Sequence, residues 1–207
     1  MYLTRLVLNP RSRRAQSESA NLYELHRTIM SAFPATLPAD ERVLFRLEID
    51  RQSGAFVVLV QSQYEPDWGW LATSPPDYLL SISEPNPWVK AFDPLFRVGQ
   101  QLVFRLRANP TLKREGKRLG LLREEDQIAW LHRKAQAGGF EVLSVRAQKL
   151  GFVQGWTRQR QPLSLFAVQY DGLLRVTDPS VFARSLAQGI GSAKGLGFGL
   201  LSVARAE

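Results

Sequence analysis

Residues 21–27 read Asn21-Leu22-Tyr23-Glu24-Leu25-His26-Arg27, and the rest of the first half of the chain is arranged around them. Apolar residues recur from Leu25 to Phe33 at the spacing of one helix face. Asn21 is a common N-cap residue, and Glu24 stands three positions later, which is the spacing of a capping box. The stretch therefore predicts a helix that begins after Asn21 and ends before Pro34.

Tyr23 and His26 lie three residues apart in this predicted helix. Residues at that spacing share a helix face, with their Cβ atoms about 5–6 Å apart. A phenol beside an imidazole suits proton transfer, because an unperturbed imidazole has a pKa of about 6.5 and both of its forms are present near neutral pH. A packing pair on an amphipathic helix has the same pattern, so these two residues alone leave both interpretations open.

Strands are predicted on both sides of this helix, at residues 2–9, 43–49, 55–60 and 78–83. A short second helix is predicted after Pro66, in a segment with two tryptophans. The order strand, helix, strand, strand, helix, strand is that of a ferredoxin-like domain, which is also the architecture of RNA-recognition modules. The basic run at residues 11–14 is expected to be a solvent-exposed loop.

The same order recurs in the second half of the chain, after a proline-rich stretch at residues 85–98. Its strands are predicted at 101–108, 140–150, 163–170, 173–177 and 200–205, and its helices at 124–137 and 179–188. We therefore predict an α+β protein with two tandem ferredoxin-like (βαββαβ) domains, at residues 1–84 and 99–207, joined by a linker at 85–98.

The composition indicates an intracellular protein with a polyanionic partner. The 207 residues carry a net charge of +8, which favours nucleic acid or an anionic membrane surface. There is no cysteine, so the sequence excludes disulfides and cysteine-based metal sites. His26 and His132 are far apart and outside any metalloprotease motif, which argues against a histidine metal centre, and His132 is expected at the surface. We expect a cytoplasmic protein with no membrane-spanning segment.

Two basic segments of the second half are candidates for phosphate binding. The first is an expected flexible loop with four basic residues, Lys113, Arg114, Lys117 and Arg118. Arg158 and Arg160 stand two positions apart in a predicted hairpin, so they point to the same side where the chain is extended. Guanidinium groups in that arrangement bind phosphates or guanine edges, and an ordinary solvated hairpin has the same composition.

A glycine-rich segment, Gly189–Gly199, lies between the last predicted helix and the last predicted strand. Five of its eleven residues are glycine, which lets the backbone approach a ligand closely and point N–H groups at phosphate. Lys194 adds a positive charge. The segment precedes a strand and lacks a Gly-Lys-Ser/Thr run, so it fits neither a dinucleotide-binding motif nor a Walker A motif.

Four segments in this order resemble the CasE family of CRISPR repeat-processing endoribonucleases. They are the strand Tyr2–Asn9, the helix segment Tyr23–Arg27, the run Phe104–Pro110 with Gly116-Lys117-Arg118, and the glycine-rich segment continued to Val203. The likeness spans most of the chain.

The resemblance implies a protein that cuts the stem-loop of precursor CRISPR RNA at the base of its 3′ side, without a metal ion or a small-molecule cofactor. The products in this family carry a 2′,3′-cyclic phosphate and a 5′-hydroxyl. Its members retain the cleaved RNA as a subunit of the type I-E Cascade complex. Tyr23 and His26 match the family's catalytic pair, and which of them is general acid or general base is left open.

The resemblance also implies residues that contact RNA. The glycine-rich segment matches the family's RNA-backbone element through Gly189, Gly191, Ser192, Lys194, Gly195 and Gly197. Lys194, Arg27 or a backbone N–H of the glycine-rich segment is a candidate to stabilise the charge of the pentacoordinate phosphate. Further candidates for phosphate contact are Arg105, Arg107, Lys113, Arg114, Lys117, Arg118, Arg158 and Arg160.

Two other functions fit part of the sequence. A non-catalytic protein with two RNA-recognition-like domains would hold an RNA hairpin without cutting it, yet the central strands lack the exposed aromatic row of such modules. A structural ribosome-associated protein fits the positive charge but leaves the Tyr23 and His26 pair unexplained.

Overall fold

The computed structural model describes residues 1–38, 41–115, 117–156, 159 and 161–206, and at residues 72 and 117 it describes the backbone alone. These residues form two compact units. The first contains Met1–Asp93, Gln154–Pro162 and Gly195–Gly197, and the second contains the rest of the described chain. Within the described residues, no helix is long and apolar enough to cross a membrane.

The first unit contains a four-stranded antiparallel sheet. In chain order its elements are β1 (Tyr2–Leu8), α1 (Arg13–Ala20), α2 (Leu22–Met30), β2 (Leu44–Ile49), β3 (Phe56–Ser62), a 3₁₀ helix (Gly69–Thr73) and β4 (Trp88–Ala91). The strand order in the sheet is β2-β3-β1-β4, and each neighbouring pair is antiparallel. This is the order of a ferredoxin-like fold, with the 3₁₀ helix in place of the second helix.

Burial explains how α2 is held. Leu25 and Ile29 lie four residues apart on one face and are each 1% exposed, and Phe45 on β2 is fully buried. Burying an apolar side chain of this size stabilises a fold by about 1.5–3 kcal/mol. The apolar face of α2 therefore sets the rotation of the helix, which leaves Tyr23 and His26 half-buried on another side.

The second unit repeats the pattern with longer strands. Its elements are β5 (Gln101–Ala108), β6 (Thr111–Arg114), β7 (Lys117–Gly120), α3 (Glu124–Ala137), β8 (Phe140–Trp156), β9 (Pro162–Val176), α4 (Pro179–Gln188), a 3₁₀ helix (Lys194–Leu196) and β10 (Leu201–Arg205). The sheet order is β10-β5-β9-β8, which is again that of a ferredoxin-like fold. The last residues of β8 and the middle of the glycine-rich segment belong to the first unit. The prediction of two ferredoxin-like domains is confirmed.

The basic run at residues 11–14 was predicted to be an exposed loop. In the structure it leads into the helix α1. The guanidinium of Arg14 donates to the carboxylate of Glu18 at 2.9 Å, one helical turn later. Glu18 is 6% exposed, so the buried side of α1 carries a charge where an apolar residue would be expected. Because the segment is mostly polar, it has no apolar periodicity that would predict a helix.

The fourth strand of the first sheet also differs from the prediction. Residues 78–83 contribute only an isolated bridge between Leu8 and Leu79, and the edge strand is β4, inside the predicted linker at 85–98. The side-chain amide of Asn86 donates to the backbone oxygens of Val7 and Leu80, and its oxygen accepts from the N–H of Val7. These bonds hold the turn that brings β4 beside β1. Every residue of β4 is exposed, so no alternation of polarity marked it as a strand.

Two smaller predictions in the second unit are wrong. The basic residues expected in a flexible loop lie on a hairpin, because β6 pairs with β7. The strands expected at 163–170 and 173–177 are one continuous strand, β9. Gly172 lies within it, where a Cβ atom would be 2.1 Å from the backbone oxygen of Ser144, so a close approach between neighbouring strands requires glycine there.

Candidate active site

The helix α2 begins at Asn21, as the sequence predicts. The side-chain oxygen of Asn21 accepts a hydrogen bond of 3.3 Å from the backbone N–H of Tyr23. Glu24 does not complete a capping box, because the N–H of Asn21 donates to the backbone oxygen of Ser17, and Glu24 instead pairs with Arg27 at 3.0 Å. The side chain of Asn21 therefore caps α2 without the reciprocal bond from Glu24.

Asn21 also contacts the end of β8. Its side-chain oxygen accepts from the N–H of Trp156 at 3.4 Å, and its side-chain nitrogen donates to the oxygen of Trp156 at 3.5 Å. A Cβ atom on Gly155 would lie 2.8 Å from the same oxygen of Asn21. A side chain at position 155 would therefore displace the amide of Asn21 from its place beside β8.

The imidazole of His26 lies between an aromatic ring and the glycine-rich segment. Its ring is stacked with that of Phe45 at an angle of 15° and a centroid separation of 6.2 Å. A Cβ atom on Gly195 would lie 3.5 Å from both Cε1 and Nε2 of the imidazole. His26 therefore lies beside Gly195, in the middle of the glycine-rich segment.

Burial shapes the chemistry of this imidazole. Nδ1 is buried and has no hydrogen-bond partner among the described residues. Burial lowers the pKa of His26 below the usual value of 6.5, because the charged form loses hydration. The neutral form of the ring therefore predominates at pH 7, and Nε2 is the nitrogen that is suited to exchange a proton with a ligand.

A buried carboxylate anchors α2 two residues beyond His26. The hydroxyl of Thr28 donates to Glu18 at 2.7 Å, and the hydroxyl of Tyr78 donates to its other oxygen at 2.6 Å. Arg14 supplies the compensating charge and lies over the ring of Tyr78 at 4.7 Å from its centroid. Burial and the negative charge of Glu18 raise the pKa of Tyr78, so its phenol remains a donor. This group was not predicted, because no local pattern joins residues so far apart in the chain.

The early residues of the glycine-rich segment contact other parts of the second unit. Gly189 ends α4 with a φ of +74°, and its N–H donates to Ser185. A Cβ atom on Gly191 would lie 3.0 Å from the ring of Trp130. The hydroxyl of Ser192 donates to the backbone oxygen of Asn109 at 3.4 Å. Lys194 begins the 3₁₀ helix that continues to Leu196, and RNA contact by these residues remains a prediction.

Two predicted phosphate-binding arginines have partners within the protein. Arg105 donates to Asp171 at 2.6 Å, and the guanidinium of Arg107 lies 5.3 Å from the centroid of the Phe198 ring. Arg27 is more than half exposed while it pairs with Glu24. Arg158 and Arg160 lie outside the described residues.

The β6–β7 hairpin concentrates positive charge. Lys113 pairs in register with Arg118, and Arg114 pairs with Lys117. Lys113, Arg114 and Arg118 are exposed. Lys113 and Arg118 carry like charges at opposite positions of neighbouring strands and therefore repel, and a bound polyanion would relieve that repulsion.

His132 is exposed on α3, as the sequence predicts. In the described part of the chain, no three His, Asp or Glu side chains come together as a set of metal ligands.

The comparisons with known proteins cover nearly the whole chain. The model of a family described as "CRISPR associated protein" matches residues 1–205. CRISPR-associated endoribonuclease Cse3 from Thermus thermophilus is 40% identical over 99% of this chain and 100% of its own length. CRISPR system Cascade subunit CasE from Escherichia coli K12 is 30% identical over 99% of each chain.

The chain belongs to the CasE family. The resemblance found in the sequence is thus confirmed. Among solved structures of this family, Thermus thermophilus Cse3 bound to an RNA that represents a pre-cleavage complex matches with a TM-score of 0.82, at 40% identity and with 98% of each chain covered. Cas6e from Escherichia coli K-12 matches with a TM-score of 0.71, at 27% identity and with 100% of each chain covered.

Proposed function

We propose that this member of the CasE family is an endoribonuclease that cleaves the repeat stem-loop of precursor CRISPR RNA without a metal ion. One observation carries the catalytic part. The imidazole of His26 lies with Nε2 against Gly195 of the glycine-rich segment, on a helix that also carries Tyr23. The relative named Cse3 is an endoribonuclease, and one of its solved structures holds a pre-cleavage RNA, which supports this assignment.

RNA cleavage of this kind needs two proton transfers and no external nucleophile. The 2′-hydroxyl loses its proton, the 2′-oxygen bonds to the adjacent phosphorus, and the bond from phosphorus to the 5′-oxygen breaks as that oxygen gains a proton. The products are a 2′,3′-cyclic phosphate and a 5′-hydroxyl. Each positioned proton-transfer group contributes about 10²–10⁴-fold in rate.

His26 is proposed as the group that takes the proton of the 2′-hydroxyl. Its lowered pKa supports this role, because a general base must be unprotonated at the working pH. Tyr23 is proposed to orient the 2′-hydroxyl or to supply the proton to the 5′-oxygen. Arg27, Lys194 or a backbone N–H of the glycine-rich segment is proposed to stabilise the charge on the phosphate.

RNA is proposed to bind through the basic surface of the chain. The β6–β7 hairpin supplies Lys113, Arg114, Lys117 and Arg118, and Arg105, Arg107, Arg158 and Arg160 extend the set. Contacts to phosphates suit an RNA stem, whose deep and narrow major groove hides the base edges. Gly189, Gly191, Ser192, Lys194, Gly195 and Gly197 are proposed to follow the RNA backbone through N–H groups.

The cleaved RNA is proposed to remain bound, with the protein acting as a subunit of Cascade in the cytoplasm. The relative from Escherichia coli is named a Cascade subunit, which supports this proposal.

A cleavage assay in EDTA tests the proposal. The substrate is the repeat hairpin from a CRISPR array of the same genome, and the matched control carries a single 2′-deoxy nucleotide before the cut. The intact hairpin should be cut and the deoxy hairpin should be bound but left whole. Cutting of the deoxy hairpin would contradict the 2′-hydroxyl mechanism, and binding of both hairpins without cutting would favour the non-catalytic RNA-binding protein.

A further inference from the structure

Phe45 fixes one side of the catalytic imidazole. It is fully buried on β2, where it pairs in register with Val60 of β3. Its ring is nearly parallel to that of His26. A fully buried side chain has little freedom to move, so the ring of Phe45 restricts the orientation of the imidazole that stacks on it.

Gly197 packs on the ring of Phe45. A Cβ atom at this position would lie 3.2 Å from Cε2 of Phe45 and 3.4 Å from Cδ1 of Leu22. Its φ is +79°, a conformation that favours glycine. The positive φ and the short distance to Phe45 both favour glycine at position 197. Without a side chain, the backbone of Gly197 can contact the ring of Phe45 directly.

Gly195 differs from Gly197 because its φ lies outside the left-handed region. No strain therefore opposes a side chain at position 195. A methyl group there would lie in van der Waals contact with the Cε1–Nε2 side of His26, at 3.5 Å from both atoms. Glycine at position 195 therefore leaves a space of about one methyl group next to the imidazole of His26.

We propose that Phe45 and Gly197 are positioning residues that hold the imidazole of His26, and that Gly195 keeps space open at Nε2 for the reacting oxygen of the RNA. This inference rests on the proposed function and deepens it. Proton transfer needs the donor and acceptor atoms about 2.6–3.2 Å apart, so an added methyl group beside Nε2 competes with the oxygen for that space. Because Nδ1 is buried, the ring has no second route for the proton.

The first test is Gly195→Ala, with Gly69→Ala as its matched control. Gly69 is exposed and, like Gly195, has a φ outside the left-handed region, and the atom nearest to an added Cβ is Oδ1 of Asp67 at 3.0 Å, at the free end of a flexible side chain. Cleavage by Gly195→Ala under single-turnover conditions should fall by about 10²-fold, the loss that a misplacement of about 1 Å can cause. Binding of the 2′-deoxy hairpin should stay within about threefold of wild type, and Gly69→Ala should cleave like wild type.

The outcomes separate this inference from the proposed function. A wild-type protein that leaves the repeat hairpin whole overturns the proposed function, and the inference falls with it. Wild-type cleavage together with full cleavage by Gly195→Ala overturns the inference alone. Hairpin affinity that falls in step with cleavage also overturns it, because Gly195 would then act by binding RNA.

The second test follows the histidine rings by NMR in Phe45→Leu. The chain has two histidines, so a ¹H–¹³C spectrum contains two Cε1–H resonances, and exposed His132 serves as an internal reference. The His26 resonance should shift as the stacked ring is lost, with His132 unchanged and cleavage reduced about tenfold or more. An unmoved His26 resonance would overturn the role of Phe45. If Phe45→Leu does not fold, Gly195→Ala is examined in the same way, since its methyl group would touch Cε1.

Discussion

The side chain of Asn21 bonds to both backbone polar groups of Trp156, with distances of 3.4 and 3.5 Å. The same side chain caps the helix that carries Tyr23 and His26. One amide group thus joins the start of α2 to the end of β8, from which the chain continues toward Arg158 and Arg160. A change at this residue affects the helix and its connection to β8 together.

Replacing Asn21 by Ala or by Ser should separate these two contributions. Ser retains an N-cap oxygen but is too short to keep both bonds to Trp156. Asn21→Ala should lower the free energy of unfolding by about 1 kcal/mol through the lost cap, and Asn21→Ser should lower it by less. Urea denaturation measures both values. Equal losses in the two variants would show that the cap contributes nothing.

His26→Ala should reduce hairpin cleavage by at least about 10²-fold, because the main proton-transfer group is lost. Affinity for the 2′-deoxy hairpin should change little, since the imidazole is neutral at pH 7. The matched control is His132→Ala, which removes the exposed histidine of α3 and should cleave like wild type. Comparable loss in both variants would argue against a specific role for His26.

The pH dependence of cleavage distinguishes the two roles of His26. Burial lowers its pKa below 6.5, so the unprotonated ring predominates from below pH 6.5 upward. With His26 as general base, the single-turnover rate should rise with pH and level off once the ring is deprotonated, with the midpoint of the rise below pH 6.5. A rate that instead falls as the pH rises through the same range would assign His26 as the general acid.

Tyr78→Phe should destabilise the first unit, because it leaves one oxygen of buried Glu18 without its donor. An unsatisfied buried acceptor costs about 1–3 kcal/mol of the free energy of unfolding. Tyr64→Phe is the matched control, as Tyr64 is 46% exposed, and it should change stability by less than about 0.5 kcal/mol. The two variants are compared by urea denaturation. Equal stabilities would mean that water replaces the phenol at Glu18.

Replacing Arg158 and Arg160 together by Ala should weaken hairpin binding without a matching loss of turnover for bound RNA. Each lost phosphate contact should also reduce the slope of log affinity against log salt by about 0.7–0.9. The measurement is hairpin affinity over a range of salt concentrations, with exposed Arg51→Ala as control. A change in turnover alone, with affinity and salt slope intact, would contradict the assignment of these arginines to the binding surface.

Local patterns were sufficient for elements with one buried and one exposed face. The predicted bounds of β5, α3 and α4 agree with the structure, because alternation or helical periodicity of apolar residues marks each of them. The edge strand β4 has no buried face, and α1 buries a carboxylate, so neither carried such a signal.

The sequence predicted the separate segments of the candidate site but not the contacts between them. The spacing on α2 placed Tyr23 and His26 on one helix face, and only the resemblance to the CasE family marked them as a catalytic pair. The glycine-rich segment followed from its composition. The stacking of Phe45 on His26 and the bonds of Tyr78 and Thr28 to Glu18 join distant parts of the chain. Such contacts depend on how strands and helices pack, and a single sequence carries no local trace of them.

The outermost strand of the first sheet has a consequence for solution behaviour. β4 is only four residues long and entirely exposed, and the ammonium group of its Lys90 lies 5.3 Å from the centroid of the Trp88 ring. A short edge strand with a charged residue pairs poorly with a strand of another molecule. We therefore expect the first sheet to resist edge-to-edge aggregation through β4, even where many copies of the chain are present at high local concentration.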